Sequence, residues 1–365
     1  MLKTPTLILI LPLLISLISC QDQSTSTKAS DLETPCPDTI EGLSIRANYR
    51  HVCLVTNSGG VKCWGKNSSG QIGDGTDVDK GIPSAVVALE SPVLTVETGA
   101  HHTCALHADK TVSCWGSSFG FAPVKITGVE NVKEHSSGAF NKMALLENGS
   151  VVTWTNATTV STVANIGSTD ALKGVSVAAG YSHYCVTVAD GSVWCWGSNA
   201  NMQLGDGTTT TRTQPVRVIG VSNAVKVVVG NNHSCALNSS GKTWCWGWDG
   251  GASGAAAYEV QPLTEVKILY GSPYFNQALL INSGVRRWFG ALKNGSVTVV
   301  TGASGPVAVA PAENSTCLVE SSGIVKCFGR NIEGQLGNNQ LGIDSIDPVV
   351  VELDPLELLP VCNRP

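Results

Sequence analysis

The residues best suited to chemistry in this 365-residue chain are its thirteen cysteines and seven histidines. Ten cysteines form five pairs with nine residues between partners: Cys53 and Cys63, Cys104 and Cys114, Cys185 and Cys195, Cys235 and Cys245, Cys317 and Cys327. Such pairs serve either a metal or a disulfide. Zinc asks for two cysteines separated by two to four residues, a spacing that is absent. Nine residues around a short turn instead set two cysteines opposite each other on a hairpin, within bonding reach. Closing each such loop stabilises by roughly 2.5–3 kcal/mol in the chain-entropy view. Four histidines, His51, His102, His183 and His233, each stand two residues before a paired cysteine. One histidine per repeat at a fixed strand position spreads the four apart, so they are expected to be buried and bonded to backbone rather than to hold a metal. Neither metal nor cofactor is expected.

Catalytic constellations are missing. Gly116-Ser117-Ser118-Phe119-Gly120 spells Gly-x-Ser-x-Gly, but Phe121-Ala122-Pro123 follows where a nucleophile elbow would open a helix, so it is not read as an elbow. No His-Glu-x-x-His is present, and carboxylates are scattered. No catalytic residue is assigned. The Gly-Asp-Gly-Thr stretches at Gly73–Thr76 and Gly205–Thr208 offer one carboxylate each, where calcium takes six to eight oxygens, and they read as turns.

The element that carries the cysteines is a hairpin. In residues 181–208 two alternating apolar runs flank the turn Ala189-Asp190-Gly191, then Trp196-Gly197 and a Gly-rich loop follow. The same unit recurs seven times, 39 to 51 residues apart, counting two copies without cysteine. In those, Met143 with Thr153 and Ala278 with Trp288 are expected at the cysteine places. Each copy divides into four strands, in the fourth copy over residues 174–179, 183–188, 192–197 and 215–219. Cysteines share one face with His183 while Trp194 and Trp196 take the other, so both faces are apolar, as a sheet sandwiched between two others requires. Glycines before the second strand (Gly99, Gly138, Gly180, Gly230) are read as tight turns with unusual dihedrals. Seven covered sheets close into an all-β, seven-bladed propeller of four-stranded antiparallel blades over residues 36–365.

The repeat resembles that of the regulator-of-chromosome-condensation family. The matching residues are His51, His102, His183 and His233, then Trp64-Gly65, Trp115-Gly116, Trp196-Gly197 and Trp246-Gly247. The loop signature stands at Gly70–Thr76 and Gln203–Thr208, and partly at Gly334–Gly337. The resemblance covers about residues 43–353 and implies seven blades. Nuclear members act as exchange factors for a small GTPase, and an exported bacterial relative inhibits β-lactamases through one propeller face; no residue of either activity can be matched here. Copies two, three and six lack the loop, and the paired cysteines depart from the intracellular pattern toward an envelope variant.

The N-terminus reads as an export signal over residues 1–19. Lys3 precedes an apolar run at residues 7–18, too short to span a bilayer comfortably. Ser19 before Cys20 resembles a bacterial lipobox, in which Cys20 is acylated; the alternative is an ordinary secretory signal with an incidental cysteine. Residues 20–35 are a polar tether whose ends would lie roughly 20 Å apart. Cys36 and Cys362 complete an even count and are expected to latch the ring.

Net charge is −5 with no basic cluster, which argues against nucleic acid. Where copies depart from their siblings, loop aromatics stand out: Phe119 and Phe121, Trp248 and Tyr258, Tyr270, Tyr274 and Phe275. They serve either as interface anchors or as filling for missing loops. The expected function is that of a lipid-anchored, monomeric envelope propeller, at the outer membrane or cell surface, binding a protein or a glycan. It would touch membrane through the lipid alone. The alternatives are an envelope hydrolase or lyase with a site at the central channel, or a carbohydrate-binding surface protein.

Overall fold

A computed structural model describes residues 44–248, 253–289, 297–302, 304–353 and 357–358. The signal and tether, Cys20, Cys36, Cys362 and Asp249 to Gly251 lie outside the described residues, and with them the expected acylation and latch.

Among the described residues, twenty-eight strands form seven four-stranded antiparallel sheets. Each sheet uses four consecutive strands, so no blade borrows a strand from the far end of the chain. In blade four these are Gly174–Ala179, His183–Val188, Val193–Gly197 and Arg212–Arg217. The outermost begins three residues before the expected place because the ladder shifts between Cys195 and Gly197, which pairs with Arg212. Outer strands carry Pro83, Pro123, Pro215 or Pro348. A proline on an exposed edge withholds a donor and discourages pairing with another chain.

All five cysteine pairs sit directly opposite on the second and third strands, with Cα atoms 4.0–4.1 Å apart, and are bonded. In blade three Met143 faces Thr153 at that place. In blade six the place belongs to Gln277 and Arg287, not to Ala278 and Trp288. Trp288 pairs with Asn276 there, as Trp246 pairs with Ser234 in blade five, and both tryptophans are fully buried.

The core is divided. Hydrophobic clusters lie between neighbouring blades, as where Ile45, Leu54 and Trp64 of blade one meet Ala310, Val319 and Leu336 of blade seven. A polar relay crosses several of these seams. His51 Nε2 lies 2.9 Å from Thr103 Oγ1 of the next blade, that hydroxyl donates to the Gln71 carbonyl at 2.8 Å, and Trp115 Nε1 donates to the same oxygen at 2.9 Å. His183, Ser234, Gln203 and Trp246 repeat it between blades four and five. All four repeat histidines are thus buried; His51, His183 and His233 bond to a side chain of the next blade rather than to backbone, and the Nε2 of His102 is buried without a partner. Burial pushes His51 and His183 down to about 3 and His233 to about 4, so the imidazoles are neutral.

The glycines before the second strands have a different cause from the one expected. Gly99, Gly138, Gly180 and Gly230 do not take positive φ. A Cβ on Gly99 would instead lie 2.6 Å from the Gly138 carbonyl, one on Gly138 would collide with the Gly180 carbonyl, and so on to Ser272. Backbone passes backbone too closely for any side chain.

Candidate binding face and central channel

Each turn from first to second strand opens on the same face of the ring, around one mouth of the central channel. Tyr49, His101, Phe140, Tyr181 and Tyr274 all lie on these turns. Phe140 is 53%, Tyr181 46% and Tyr274 37% exposed, so the aromatic surface faces solvent. Phe140 meets Tyr181 edge to face at 5.4 Å between centroids, and His101 at 6.2 Å, geometry that aromatic pairs favour. Tyr49 takes φ 51°, which costs a residue with a side chain about 1–2 kcal/mol. Its hydroxyl reaches across to Asn231 Oδ1 of blade five at 2.7 Å. Burial, then the nearness of Tyr274, Tyr181 and Glu313, pushes its phenol well above the usual value.

Charged groups frame this surface. Arg50 bonds Glu333 at 2.8 Å and Glu313 at 3.3 Å, both from blade seven. Burial and the cations Lys66 and Arg50 lower the His101 imidazole. A recess of about 310 Å³ lies between Arg50, Lys66, His101, Phe140, Tyr181 and Glu313.

Of the aromatics singled out from the sequence, Tyr274 joins this face. Phe275 and Phe119 are buried instead: the Arg287 guanidinium stacks 3.6 Å from the Phe275 ring and Lys142 Nζ lies 5.2 Å from the Phe119 ring. Phe121 is exposed but lies over Gly70, covering the loop of blade one. Tyr258 packs half-buried in the seam between blades five and six, Trp248 is half-buried at the end of its strand, and Tyr270 lines the channel. The gap-filling reading therefore applies to Phe119, whereas Phe275 opens the second strand of blade six at the place the repeat histidine holds in blades four and five. Tyr49, Phe140 and Tyr181 were missed, although their column, one or two residues before the repeat histidine, is aromatic in several copies.

The Gly-Asp-Gly loops are turns built around an amide. Asn67 Nδ2 donates to Asp74 Oδ1 and to the carbonyls of Thr76 and Val78, while its Oδ1 accepts from the Ile72 amide. Asn199 does the same for Asp206, Thr208, Thr210 and Leu204. Lys80 and Arg212 neutralise Asp74 and Asp206 at 2.6 and 2.9 Å. A side-chain NH2 and a lysine or arginine stand where a cation would need free oxygens. Among the described residues no three or more His, Cys, Asp or Glu side chains gather as a metal site.

The channel is lined by the inner strands of the blades. Arg46, Glu97, Glu134 and Lys226 enter it, as do Thr98, Ser137 and Tyr270. Each carboxylate there has a cation beside it: Arg46 with Glu97 at 2.7 Å, and Lys226 with Glu134.

Residues 58–106 and 190–237 match the regulator of chromosome condensation (RCC1) repeat, and a second description of that repeat matches residues 43–71, 175–203 and 224–251. RCC1 repeats are thus matched within residues 43–106 and 175–251. It is 30% identical over 203 residues to the E3 ubiquitin-protein ligase HERC2 of Mus musculus, a match covering 48% of this chain and 4% of that protein. It is 27% identical over 224 residues to the ultraviolet-B receptor UVR8 of Arabidopsis thaliana, covering 52% of this chain and 50% of the receptor. The chain thus spans half or less of the length of these curated relatives. Prp20p from Saccharomyces cerevisiae shares the fold with a TM-score of 0.71 at 16% identity, over 86% of this chain and 88% of Prp20p.

Proposed function

We propose that this chain is a binding module of the bacterial cell envelope, held by an acylated Cys20, that docks a protein partner on its aromatic face. The observation that carries the reading is the set of exposed rings, Phe140, Tyr181 and Tyr274, gathered from three blades around one channel mouth. Aromatic anchors framed by charge are how specific interfaces are built. Tyr49, strained and bonded across the mouth, holds that surface in place, and strain of this kind collects at functional sites. Propeller relatives support a binding role: the structure of Prp20p was described together with its binding to Gsp1p and histones. The net charge of −5 steers the choice toward a protein rather than a polyanion.

The test is affinity capture from envelope extracts of the producing cells, with the wild-type protein and a Phe140→Ala/Tyr181→Ala variant as baits. One partner held by the wild type and lost by the variant is the expected result. Equal retention by both baits would exclude this face. Mass spectrometry of the N-terminal peptide addresses anchoring separately: an acyl mass on Cys20 is expected, and an unmodified Cys20 would rule it out.

A further inference from the structure

The recess on the aromatic face unites rings with a cation that nothing holds. Its lining comes from five blades: Glu313 of blade seven, Arg50 and Lys66 of blade one, and His101, Phe140 and Tyr181 of blades two, three and four. Arg50 is committed, bonding both Glu313 and Glu333. Lys66 is not. Its main chain is fixed, the amide donating to the Arg50 carbonyl at 2.9 Å. Its ammonium, on a half-buried side chain, takes part in no hydrogen bond or ion pair among the described residues, and neither cation–ring contact there involves it. An ammonium carries three donors, and here water is partly displaced with no acceptor supplied. Burial, then Lys66 and Arg50, lower the His101 imidazole. The recess is therefore locally positive, although the chain as a whole carries −5.

We propose that this recess receives an acidic side chain of the docked protein, its carboxylate paired with the Lys66 ammonium and an apolar neighbour in its sequence laid on Phe140 and Tyr181. The inference rests on the docking role proposed for this face, and adds what the partner must present. Complementary charge fixes partner choice and register, and an ionised pair makes the stronger hydrogen bond. The two rings supply apolar area beside it. A chain-terminal carboxylate is not the source, because such ends are held by nests of free backbone N–H groups. Here the amides of Ala100, Tyr181 and Glu313 already donate to the Ala139, Gly230 and Tyr49 carbonyls. A partner's lysine or arginine would meet Lys66 as a like charge, with Glu313 already taken by Arg50.

Peptides supply the test: acetyl-Gly-Glu-Phe-Gly-amide and its Gln and Lys counterparts, titrated by NMR into the purified full chain. The Glu peptide should bind about fivefold more tightly than the Gln peptide, the worth of one partly exposed ion pair, and the Lys peptide most weakly. Raising salt from about 20 mM to about 200 mM should erase most of that preference by screening. Lys66→Gln should erase it at either salt and leave the melting temperature unchanged, since no side-chain bond is broken. Lys133→Gln removes an exposed charge elsewhere and should keep the preference intact. Phe140→Ala/Tyr181→Ala should weaken all three peptides. Equal binding of the Glu and Gln peptides, preference for Lys, binding of none, or a Glu preference that survives Lys66→Gln would overturn the acidic contact. Lys66→Gln as a third bait in the envelope capture separates the two readings. A partner lost by the Phe140/Tyr181 variant but held by Lys66→Gln keeps the face and removes the acidic contact; equal retention by all baits removes the face itself.

Discussion

The indole N–H of Trp64 in blade one donates to the main-chain carbonyl of Gln335 in blade seven at 2.9 Å, across 271 residues of sequence. Among the described residues first and last blades share no strand, and this bond and the cluster around it close the ring. Trp115 and Trp246 make the same bond within the chain, so closure uses the ordinary seam chemistry. Lys62 with Glu357 at 2.6 Å adds an ion pair at this seam.

Trp64→Phe should therefore cost about 1–3 kcal/mol, because the Gln335 carbonyl is left without its donor in a dry seam. Trp154→Phe is the matched control, since the Trp154 indole N–H is buried without a partner, and it should cost less than half as much. Urea unfolding followed by near-ultraviolet circular dichroism compares the two. Equal losses would show that the indole bond contributes nothing to closure.

Gly138→Ala should destabilise at or beyond the ~3 kcal/mol top of the usual overpacking range. The new methyl would meet the Gly180 carbonyl, and backbone cannot swing away. Gly75→Ala adds a methyl in open space at φ 82° and should cost about 1–2 kcal/mol of left-handed strain. Thermal melts that rank the two the other way would contradict the close-approach account.

Stability should fall as pH drops from about 6.5 toward about 4. The folded values of His51, His183, His233 and His135 are all lowered, to between about 3 and about 4. Above 6.5 both folded and unfolded states are neutral at these rings. Below it the unfolded chain takes up protons that the native state refuses, which costs about 1.4 kcal/mol per pH unit per histidine. Against burial, hydrogen bonds and a cation beside each hold carboxylates such as Asp74 and Asp206 below their ordinary value, so they contribute only at the acid edge of this window. Urea midpoints measured across the window should show the slope, and His183→Asn should remove about one proton's share of it. A flat profile would contradict the neutral relay.

Lys142→Met should stabilise the protein at neutral pH by about 1–3 kcal/mol. Lys142 is buried with no carboxylate partner among the described residues, donating to the Thr155 carbonyl at 3.3 Å, and burial lowers it to about 8. Its native state resists protonation, so stability declines as pH falls from 10.5 to about 8 and stays low beneath that. The gain from methionine should accordingly vanish at alkaline pH; melting curves at pH 7 and pH 10 decide it, and a gain independent of pH would point to packing alone.

Local chemistry was legible in the sequence and convergence was not. Nine-residue cysteine spacing and period-two alternation are properties of one hairpin, so blade count and the five bonds could be read from it. The sixth blade misled because its Trp288-Phe289-Gly290 imitates the Cys-Phe-Gly of blade seven, one residue out of register. Phe119 and Phe275 stood out as loop aromatics, yet Phe119 fills the hole a missing loop leaves and Phe275 replaces the repeat histidine at the start of a strand. Tyr49, Phe140 and Tyr181 each look ordinary within their own copies; only the ring brings them together.

The glycines that abut one another around the channel mouth bear on what the bore can become. Where main chain rests against main chain, calibre is set by atoms common to every amino acid. Side chains at positions 46, 97, 134 and 226 can then be exchanged without the opening widening or shutting. Dimension and selectivity are decoupled: peptide geometry sets the one, and a handful of replaceable residues sets the other. A chain of this build could change what its bore admits by changing that handful, with its blades left as they are.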